Sequence, residues 1–390
     1  MKGNSANMKS VYLDNSSTSF PKAPSLGKVM GEHIDNAGYN ISRGGYENAY
    51  EVEGEIFEIR CLLADFFGAK DPGNVIFTSG ATGSLNTIIN GFLKTGNSVV
   101  TTSMEHNAVV RPLWNLQKKG VVWKESVCDI DGNLDINDFK NNVDENTDIV
   151  IAIHASNVNG TITPIEEMGK HCYEKNVPFV VDASQTAGSE DIDIEKIKAS
   201  AIVLPGHKSM LGPQGIGCII FGNSSFAENL EMTLLGGTGS VSHSEEMPTE
   251  MPDKFEPGTP NIPGIIGLGY STRYILKEGR ANIKEKKSYL TKLFIDEILN
   301  MKNIRLVGKS TMENRCSVVS LDFYDKDNAE IAYRLETEYG ILTRCGMHCS
   351  PHAHKTFGTY PSGTIRFSIG CFNSEEDIKL AVEAINKAIM

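Results

Sequence analysis

Short apolar runs alternate with amphipathic stretches between residues 74 and 221. The apolar runs are rich in Val and Ile and predict strands at 74–77, 98–101, 149–153, 178–181, 201–204 and 218–221. Nearly continuous apolar strands are typical of a sheet that is covered by helices on both faces. The alternation with helical stretches therefore predicts a three-layer α/β/α domain around a mostly parallel sheet, the architecture of a large α/β domain.

Beyond residue 265 the pattern changes to that of a smaller α+β unit. A long charged amphipathic helix is predicted from 264 to about 300, and alternating strands are predicted at 317–323 and 364–369. We expect two domains, because 390 residues exceed the size at which one hydrophobic core stops growing. The predicted division is a large domain over 18–264 and a small domain over 265–390 that includes residues 8–17.

Two helix starts carry a specific capping signal. Ser374 is followed three residues later by Asp377, and a face of apolar side chains follows at Ile378, Val382, Ile385 and Ile389. Thr163-Pro-Ile-Glu166 combines a capping-box spacing with proline at the first helical position. Both segments predict a helix that begins at the hydroxyl residue.

Composition narrows the functional class. The net charge of -12 argues against a nucleic-acid or anionic-membrane partner, because both need a basic face. No apolar run approaches the roughly 20 residues that span a bilayer, and residues 1–10 lack the apolar core of a signal peptide. The eight cysteines are scattered through a long chain, which favours a reducing cytoplasm over a disulfide scaffold.

Polar side chains follow five of the predicted strands at the point where each strand ends. In an open parallel sheet, ligands bind beyond the carboxyl ends of the strands, so these residues are expected on one rim. The segments are Thr78-Ser-Gly-Ala-Thr-Gly83, Glu105-His106-Asn107, His154-Ala-Ser-Asn157, Asp182-Ala-Ser-Gln185 and His207-Lys208. We interpret this rim as a site.

Each of these residues also has a plainer interpretation. Lys208, just past a buried strand, is either an amine presented to a small molecule or a surface lysine on a loop. The turn from Gly80 to Gly83 suits a phosphate at a helix N-terminus or is a capped turn. Asp182 needs a cationic partner or acts as a helix N-cap. His106 stacks on an aromatic ligand or satisfies the backbone.

Taken together, the four features describe one cofactor, pyridoxal 5′-phosphate. A lysine forms its Schiff base, an acid holds its pyridinium nitrogen, and a turn receives its phosphate. The sequence also resembles the class V aminotransferase family, within it the group of cysteine desulfurases and selenocysteine lyases, which are enzymes of fold type I. The resemblance runs from Tyr12-Leu-Asp-Asn15 to the last helix through SGAT at 79–82, EH at 105–106, SNVNG at 156–160, VDASQTAG at 181–188, GHK at 206–208, EPGTPN at 256–261, RCGMHC at 344–349 and IRFSIG at 365–370.

The resemblance implies a role for each matching position around the cofactor. Lys208 would carry the cofactor, His106 would stack on its ring and move protons, and Asp182 would hold the pyridinium nitrogen. The ring hydroxyl would be bound by Asn157 and Gln185, and the phosphate by Ala81, Thr82 and His207. Thr259 would reach the phosphate of a partner subunit, because such enzymes are homodimers.

The resemblance also implies a substrate site. Arg366 would bind the substrate carboxylate as a bidentate fork, with Arg344 and Asn15 assisting. One position departs from the family pattern: a serine or threonine usually precedes the lysine by three residues, and here that residue is Pro205. We expect weaker phosphate binding, or compensation by Ser209 or water.

Cys349 decides the expected reaction. In the segment Arg344-Cys-Gly-Met-His-Cys349, it matches the group whose nucleophile sits on a short ordered loop, with Arg344, His348 and His352 favouring the thiolate. Alternatives are a structural cysteine, a Cys345–Cys349 redox pair, and a role for Cys345 in relaying or accepting sulfur. A metal site is a further alternative, formed by Cys345, His348, Cys349, His352 and His354. No metal is our expectation, because the spacing fits no familiar zinc pattern.

The predicted function is thus a pyridoxal-phosphate-dependent cysteine desulfurase, which converts L-cysteine to L-alanine and passes a persulfide from Cys349 to a sulfur-acceptor protein. Selenocysteine lyase and another class V aminotransferase or lyase are the alternatives within the enzymes. A cofactor-free thiol or metal scaffold on the same fold is the alternative outside them.

Overall fold

The computed structural model describes residues 10–41 and 44–390. Residues 1–9, which include residues 8 and 9 of the predicted small domain, lie outside these ranges. In chain order the strands β1 to β13 are Val11–Tyr12, Val75–Thr78, Ser98–Thr102, Val122–Ser126, Ile149–Ile153, Phe179–Asp182, Ala201–Pro205, Gly217–Phe221, Ile304–Val307, Val318–Phe323, Ile341–Leu342, Arg344–Gly346 and Thr364–Ser368.

The large sheet has the strand order β2-β8-β7-β6-β5-β3-β4. Strand β8 is antiparallel to both of its neighbours, and the pairs from β7 through to β4 are parallel. The prediction of a mostly parallel sheet is confirmed. Strand β4 was missed, because its alternating, partly exposed residues at the sheet edge lack a continuous apolar run.

Helices cover the large sheet on both faces, as the apolar strands require. Alternate residues of one strand enter different cores: Val75 and Phe77 pack in one, and Ile76 in the other. The helices α1 to α13 are Leu26–Ala37, Glu47–Phe67, Ala81–Phe92, Asn107–Gln117, Ile136–Asn142, Ile165–Glu174, Ile194–Ile197, Ser224–Glu228, Ile262–Glu278, Arg280–Ile298, Asn328–Tyr339, Pro351–Thr356 and Glu375–Ala388, and a short 3-10 turn spans Pro72–Asn74. The three-layer α/β prediction is confirmed.

A second, smaller sheet has the antiparallel order β12-β13-β10-β9. The N-terminal strand β1 pairs in parallel with β11, and Val11 and Leu13 are buried in the same core as β10 and β13. Asp14 forms a further parallel bridge with Ser368. Residues 11–14 thus lie beside strands β11 and β13, which brings the polar side chains of this segment to the site.

Two of the three predictions about helix ends were wrong in detail. The long helix expected from 264 to 300 is two helices, α9 and α10, which meet at Gly279 with φ 85 and ψ 121. Helix α6 begins at Ile165 with Pro164 as its N-cap, so Thr163 caps nothing. The capping box of α13 is confirmed, with Ser374 and Asp377 each bonded to the backbone of the other.

Candidate active site

A cleft of about 600 Å³ opens at the carboxyl ends of the large sheet. It brings together eight of the predicted cofactor residues: Ala81, Thr82, His106, Asn157, Asp182, Gln185, His207 and Lys208. These residues follow strands β2, β3, β5, β6 and β7, so the common rim expected from the sequence is present.

One end of the cleft is built to receive an anion. Gly80 has φ 133, a conformation that a residue with a side chain rarely adopts, and it turns strand β2 directly into helix α3. The first helical hydrogen bond runs from the Ser84 amide to the Gly80 carbonyl, which leaves the earlier amides of α3 at the helix N-terminus beside the cleft. His207 Nδ1 is buried and has no hydrogen-bond partner among the described residues.

The same cleft is also lined by a buried carboxylate and a neutral imidazole. Asp182 Oδ1 accepts hydrogen bonds from the Ser184 amide at 2.9 Å and from the Ser184 hydroxyl at 2.5 Å. His106 Nδ1 accepts from the Ala108 amide at 3.0 Å, so the neutral ring carries its proton on Nε2. Burial, reinforced by the charge of Lys208, lowers the pKa of His106 to about 3. His106 thus also caps helix α4, as its plainer interpretation proposed. Asp182 bonds the Ser184 backbone within a turn and not at the start of a helix, so the N-cap interpretation of Asp182 was wrong.

Lys208 lies between this cleft and a smaller cavity lined by Asn15, Gln185 and Ser368. Burial lowers the pKa of Lys208 to about 8, and the charges of Arg366 and Arg344 act in the same direction against the opposing effect of Asp182. A larger share of neutral amine near physiological pH makes Lys208 a better nucleophile than a solvated lysine.

The cysteine segment is fastened to the rim. Asn157 Nδ2 donates to the His348 carbonyl at 2.7 Å, and its Oδ1 accepts from the Ser350 hydroxyl at 2.8 Å. The Asn107 amide donates to the Cys349 carbonyl at 2.7 Å. Cys349 itself has φ 60, as part of a tight turn that precedes helix α12. These contacts hold the turn between the ends of strands β3 and β5.

Of the three groups expected to activate Cys349, Arg344 makes the contact. Its Nη2 lies 3.2 Å from the Cys349 Sγ. The expectation for His348 was wrong: it is buried, bonded to Thr364 Oγ1 at 2.9 Å, and burial lowers its pKa well below the ordinary value, so the ring is neutral. His352 pairs instead with Glu125 at 2.6 Å.

Arg366 is almost completely enclosed, with 1% of its side chain exposed. Its Nη2 donates to Asp14 Oδ1 and to Ser17 Oγ, each at 2.8 Å, and its Nη1 donates to the Asn157 carbonyl at 3.0 Å. Ser17 Oγ also accepts from Arg344 Nη1 at 3.3 Å. The two arginines therefore share a hydroxyl, and Arg344 extends the network to Cys349.

Some predicted residues lie elsewhere. Thr259 is exposed and lines a neighbouring depression on the far side of the turn from Ser79 to Gly83, outside the cleft. Pro205 lines the cleft, but Ser209 faces the smaller cavity and its hydroxyl reaches the Ser184 carbonyl at 3.5 Å. Compensation for Pro205 by Ser209 therefore has no structural support.

Four residues that support the site were missed at the sequence level. Ser184 bonds Asp182, while Asp14 and Ser17 bond Arg366. Asp14 and Ser17 lie within or next to the Tyr12-Leu-Asp-Asn15 segment that matched the family, and that match was the available signal. Lys22 Nζ donates to the His207 carbonyl at 2.7 Å and so anchors the segment that carries Lys208.

The structure gives little support to the metal-site and Cys345-relay interpretations of the cysteine segment. Among the described residues, no group of three His, Cys, Asp or Glu side chains is arranged to hold a metal ion. Cys345 packs against the core of the small sheet, and burial raises the pKa of its thiol. Residues on a strand alternate in direction, so Arg344 faces Cys349 while Cys345 turns away. A relay through Cys345 is disfavoured by this geometry.

Comparison with known proteins decides the family. The family model for aminotransferase class V matches residues 11–380. The chain belongs to the class V aminotransferase family. A probable cysteine desulfurase of Pyrococcus abyssi is 32% identical over 97% of this chain and 94% of that protein. A cysteine desulfurase of Haloferax volcanii is 29% identical over 97% of this chain and 89% of its own length.

Solved structures agree with the fold of this class V aminotransferase. The apo structure of a cysteine desulfurase from Thermococcus onnurineus superposes with a TM-score of 0.91 at 30% identity, covering 97% of this chain and 94% of that one. In the described part of the chain, no helix combines the length and apolar character needed to cross a bilayer.

Class V aminotransferases depend on pyridoxal phosphate, so the predicted cofactor is confirmed at the level of the family. The residues of this chain fit that cofactor. The unpartnered His207 nitrogen and the amides of α3 suit its phosphate, and Asp182 suits its ring nitrogen. Lys208 is the amine within the same cleft.

Proposed function

We propose that this protein is a cysteine desulfurase that takes the sulfur of L-cysteine onto Cys349 and releases L-alanine. The contact between Arg344 Nη2 and Cys349 Sγ carries the proposal, because it sets a guanidinium charge beside a thiol at the edge of the cofactor cleft. A neighbouring cation favours the thiolate, which is the nucleophilic form. Overall, L-cysteine and the Cys349 thiol give L-alanine and a Cys349 persulfide.

Each residue of the cleft has a separate task in this proposal. Lys208 would be the attachment point of the cofactor, and the Asp182 carboxylate would hold its ring nitrogen. His106 holds its proton on Nε2 and exchanges it with the substrate. Asn157 and Gln185 would hydrogen-bond the ring hydroxyl, while Ala81, Thr82 and His207 would bind the phosphate. When bound, pyridoxal phosphate supplies an electron sink for charge that develops on the substrate.

The substrate site and the partners belong to the same proposal. Arg366, assisted by Arg344 and Asn15, binds the substrate carboxylate. A homodimer would bring Thr259 to the phosphate of its partner subunit, and a sulfur-acceptor protein would collect the persulfide. A reducing, cytoplasmic setting is supported by the eight free cysteines. The domain division at residue 264 remains part of the proposal.

Cofactor attachment gives the first test. Lys208→Ala should lack the visible absorption band of the lysine-linked cofactor that borohydride abolishes in the wild type, and its turnover should fall by about three orders of magnitude or more. Lys94→Ala, an exposed surface lysine, is the matched control and should keep both. A colourless wild-type protein that binds metal would favour the scaffold alternative and contradict the proposal.

The role of Cys349 is tested by product release. Cys349→Ala should lose alanine release from L-cysteine while Cys345→Ala retains it, because Cys345 faces the core of the small sheet. Running both variants with L-selenocysteine separates desulfurase from selenocysteine lyase, since loss of the cysteine reaction alone assigns the thiol to sulfur abstraction. Undiminished cysteine turnover by Cys349→Ala would refute the mechanism.

A further inference from the structure

The Nη2 nitrogen of Arg366 already donates hydrogen bonds within the protein, and every bidentate contact between an arginine and a carboxylate requires this nitrogen. A guanidinium receives a carboxylate in bidentate fashion through its Nε–Nη2 edge or its Nη1–Nη2 edge, and both edges include Nη2. Nη2 donates to Asp14 Oδ1 and to Ser17 Oγ, each at 2.8 Å, and the Ser17 hydroxyl in turn donates to Asp14 Oδ1 at 2.8 Å. A ligand carboxylate that is to form a two-point contact must therefore compete with these oxygens at Nη2.

The remaining donors of Arg366 show which edge is incomplete. Nη1 donates to the Asn157 carbonyl, which ties that side to the rim of the large sheet. Nε is buried and has no hydrogen-bond partner among the described residues. A buried donor without an acceptor is unfavourable, and a ligand oxygen would relieve that cost. On the Nε–Nη2 edge, Nε is thus vacant, while Nη2 is engaged by Asp14 and Ser17.

Charge explains why Asp14 is there. Arg366 has 1% of its side chain exposed, and a buried guanidinium without a counter-ion is strongly unfavourable. Asp14 supplies that counter-ion and, with 20% of its side chain exposed, reaches solvent where Arg366 does not. A substrate carboxylate has the same charge and the same two-oxygen geometry, so it can replace Asp14 without leaving the arginine unpaired.

We propose that Asp14 occupies the place of the substrate carboxylate on Arg366, and that an amino acid must displace the Asp14 carboxylate in order to bind. This inference rests on the carboxylate-binding role of Arg366 in the proposed function. Asp14 then sets the specificity of the site. A full carboxylate can take over its contact with Arg366, whereas an amide or ester cannot neutralise the guanidinium. The affinity for every carboxylate is lowered by the competition.

Asp14→Asn tests this directly, because it keeps the shape of the side chain and removes its charge. With the cofactor-loaded protein, calorimetric titration should show propionate binding about tenfold more tightly to Asp14→Asn than to the wild type, and the KM for L-cysteine should fall in parallel. Ser17→Ala, which removes the other partner of Nη2, should change propionate affinity in the same direction. Propionamide should bind poorly to all three proteins.

The controls separate competition from simple positioning. Asp296→Asn removes one charge from an exposed helix surface and should leave propionate affinity unchanged. Arg366→Lys should abolish the gain caused by Asp14→Asn. If both Asp14→Asn and Ser17→Ala, folded by their melting curves, bind propionate as weakly as the wild type or more weakly, Asp14 orients the arginine and the inference fails. That failure is distinct from failure of the proposed function, which would appear as cysteine turnover without Cys349.

Discussion

At the residue scale, the site depends on ionisable groups whose partners lie far away in sequence. The types of side chain at the rim were predictable, because Asp182, His106 and Lys208 each follow a recognisable apolar strand. The contact between Arg366 and Asp14 joins residues 352 positions apart, and that between Asn157 and the His348 carbonyl spans 191. No local pattern encodes such pairs. For this reason the charge state of His348 was also misjudged.

Glu105 illustrates how burial alone can change the pKa of an ionisable side chain. It is fully buried, its Oε1 accepts from Thr102 Oγ1 at 2.6 Å and from the Ile153 amide at 3.0 Å, and burial raises its pKa to about 8. The folded protein therefore holds a proton on Glu105 between its ordinary pKa of 4.5 and about 8, where the unfolded chain has released it. Such a group makes the free energy of unfolding fall as pH rises through this window.

Glu105→Gln should remove that dependence, since the amide cannot titrate. Chemical denaturation at pH 5, 6, 7 and 8 should show the free energy of unfolding of the wild type declining relative to Glu105→Gln, with a total difference on the order of a few kcal/mol. Asp296→Asn, on the protein surface, should track the wild type. Parallel curves for Glu105→Gln and wild type would contradict a protonated Glu105.

At the element scale, the apolar runs predicted six of the seven strands of the large sheet and the capping box of the last helix. These elements are determined by local periodicity and by burial on both faces. Strand β4 was not predicted, because its residues are partly exposed at the edge of the sheet. The break between α9 and α10 was not predicted, because a single glycine interrupts a pattern that is otherwise helical. Gly279 has an asparagine nitrogen, Asn282 Nδ2, 3.1 Å from where a Cβ would lie.

Gly279→Ala should therefore destabilise the fold by roughly 1–2 kcal/mol, the cost of a positive φ in an L-residue, with the close Asn282 contact adding to it. Gly31→Ala is the matched control within helix α1, where a Cβ meets no atom within 4 Å. That substitution should stabilise the protein by about 0.5–1 kcal/mol. Thermal unfolding of both variants measures the difference; equal effects would mean that Gly279 is not required at the break.

At the scale of the whole molecule, the site is assembled from two sheets. The large sheet supplies Lys208, Asp182 and His106, while the small sheet and the N-terminal segment supply Arg344, Arg366 and the residues around Cys349. Thr259 lies outside this assembly on an exposed surface. In the proposed homodimer it would serve a second copy of the chain, a role that the resemblance to the family implied and that periodicity alone does not indicate.

Dimers that combine two different variant subunits test whether Thr259 binds the cofactor of the partner subunit. Thr259→Ala should weaken pyridoxal phosphate binding about tenfold, as expected for loss of one hydrogen bond to a charged group. When Thr259→Ala and Lys208→Ala subunits are refolded together, the mixed dimer should regain one site of wild-type cofactor affinity, because the intact Lys208 then meets an intact Thr259 from the other subunit. Absence of recovery in a verified mixed dimer would place Thr259 in service of its own chain.

The turn that holds Cys349 is secured on both sides, by Asn157 to the residues before and after it and by Asn107 to its own carbonyl. A sulfur atom loaded onto this thiol would stay where it was received, since swinging outward would require breaking all three bonds at once. A sulfur-acceptor protein would then have to extend a narrow segment into the opening and take the sulfur from Cys349 there.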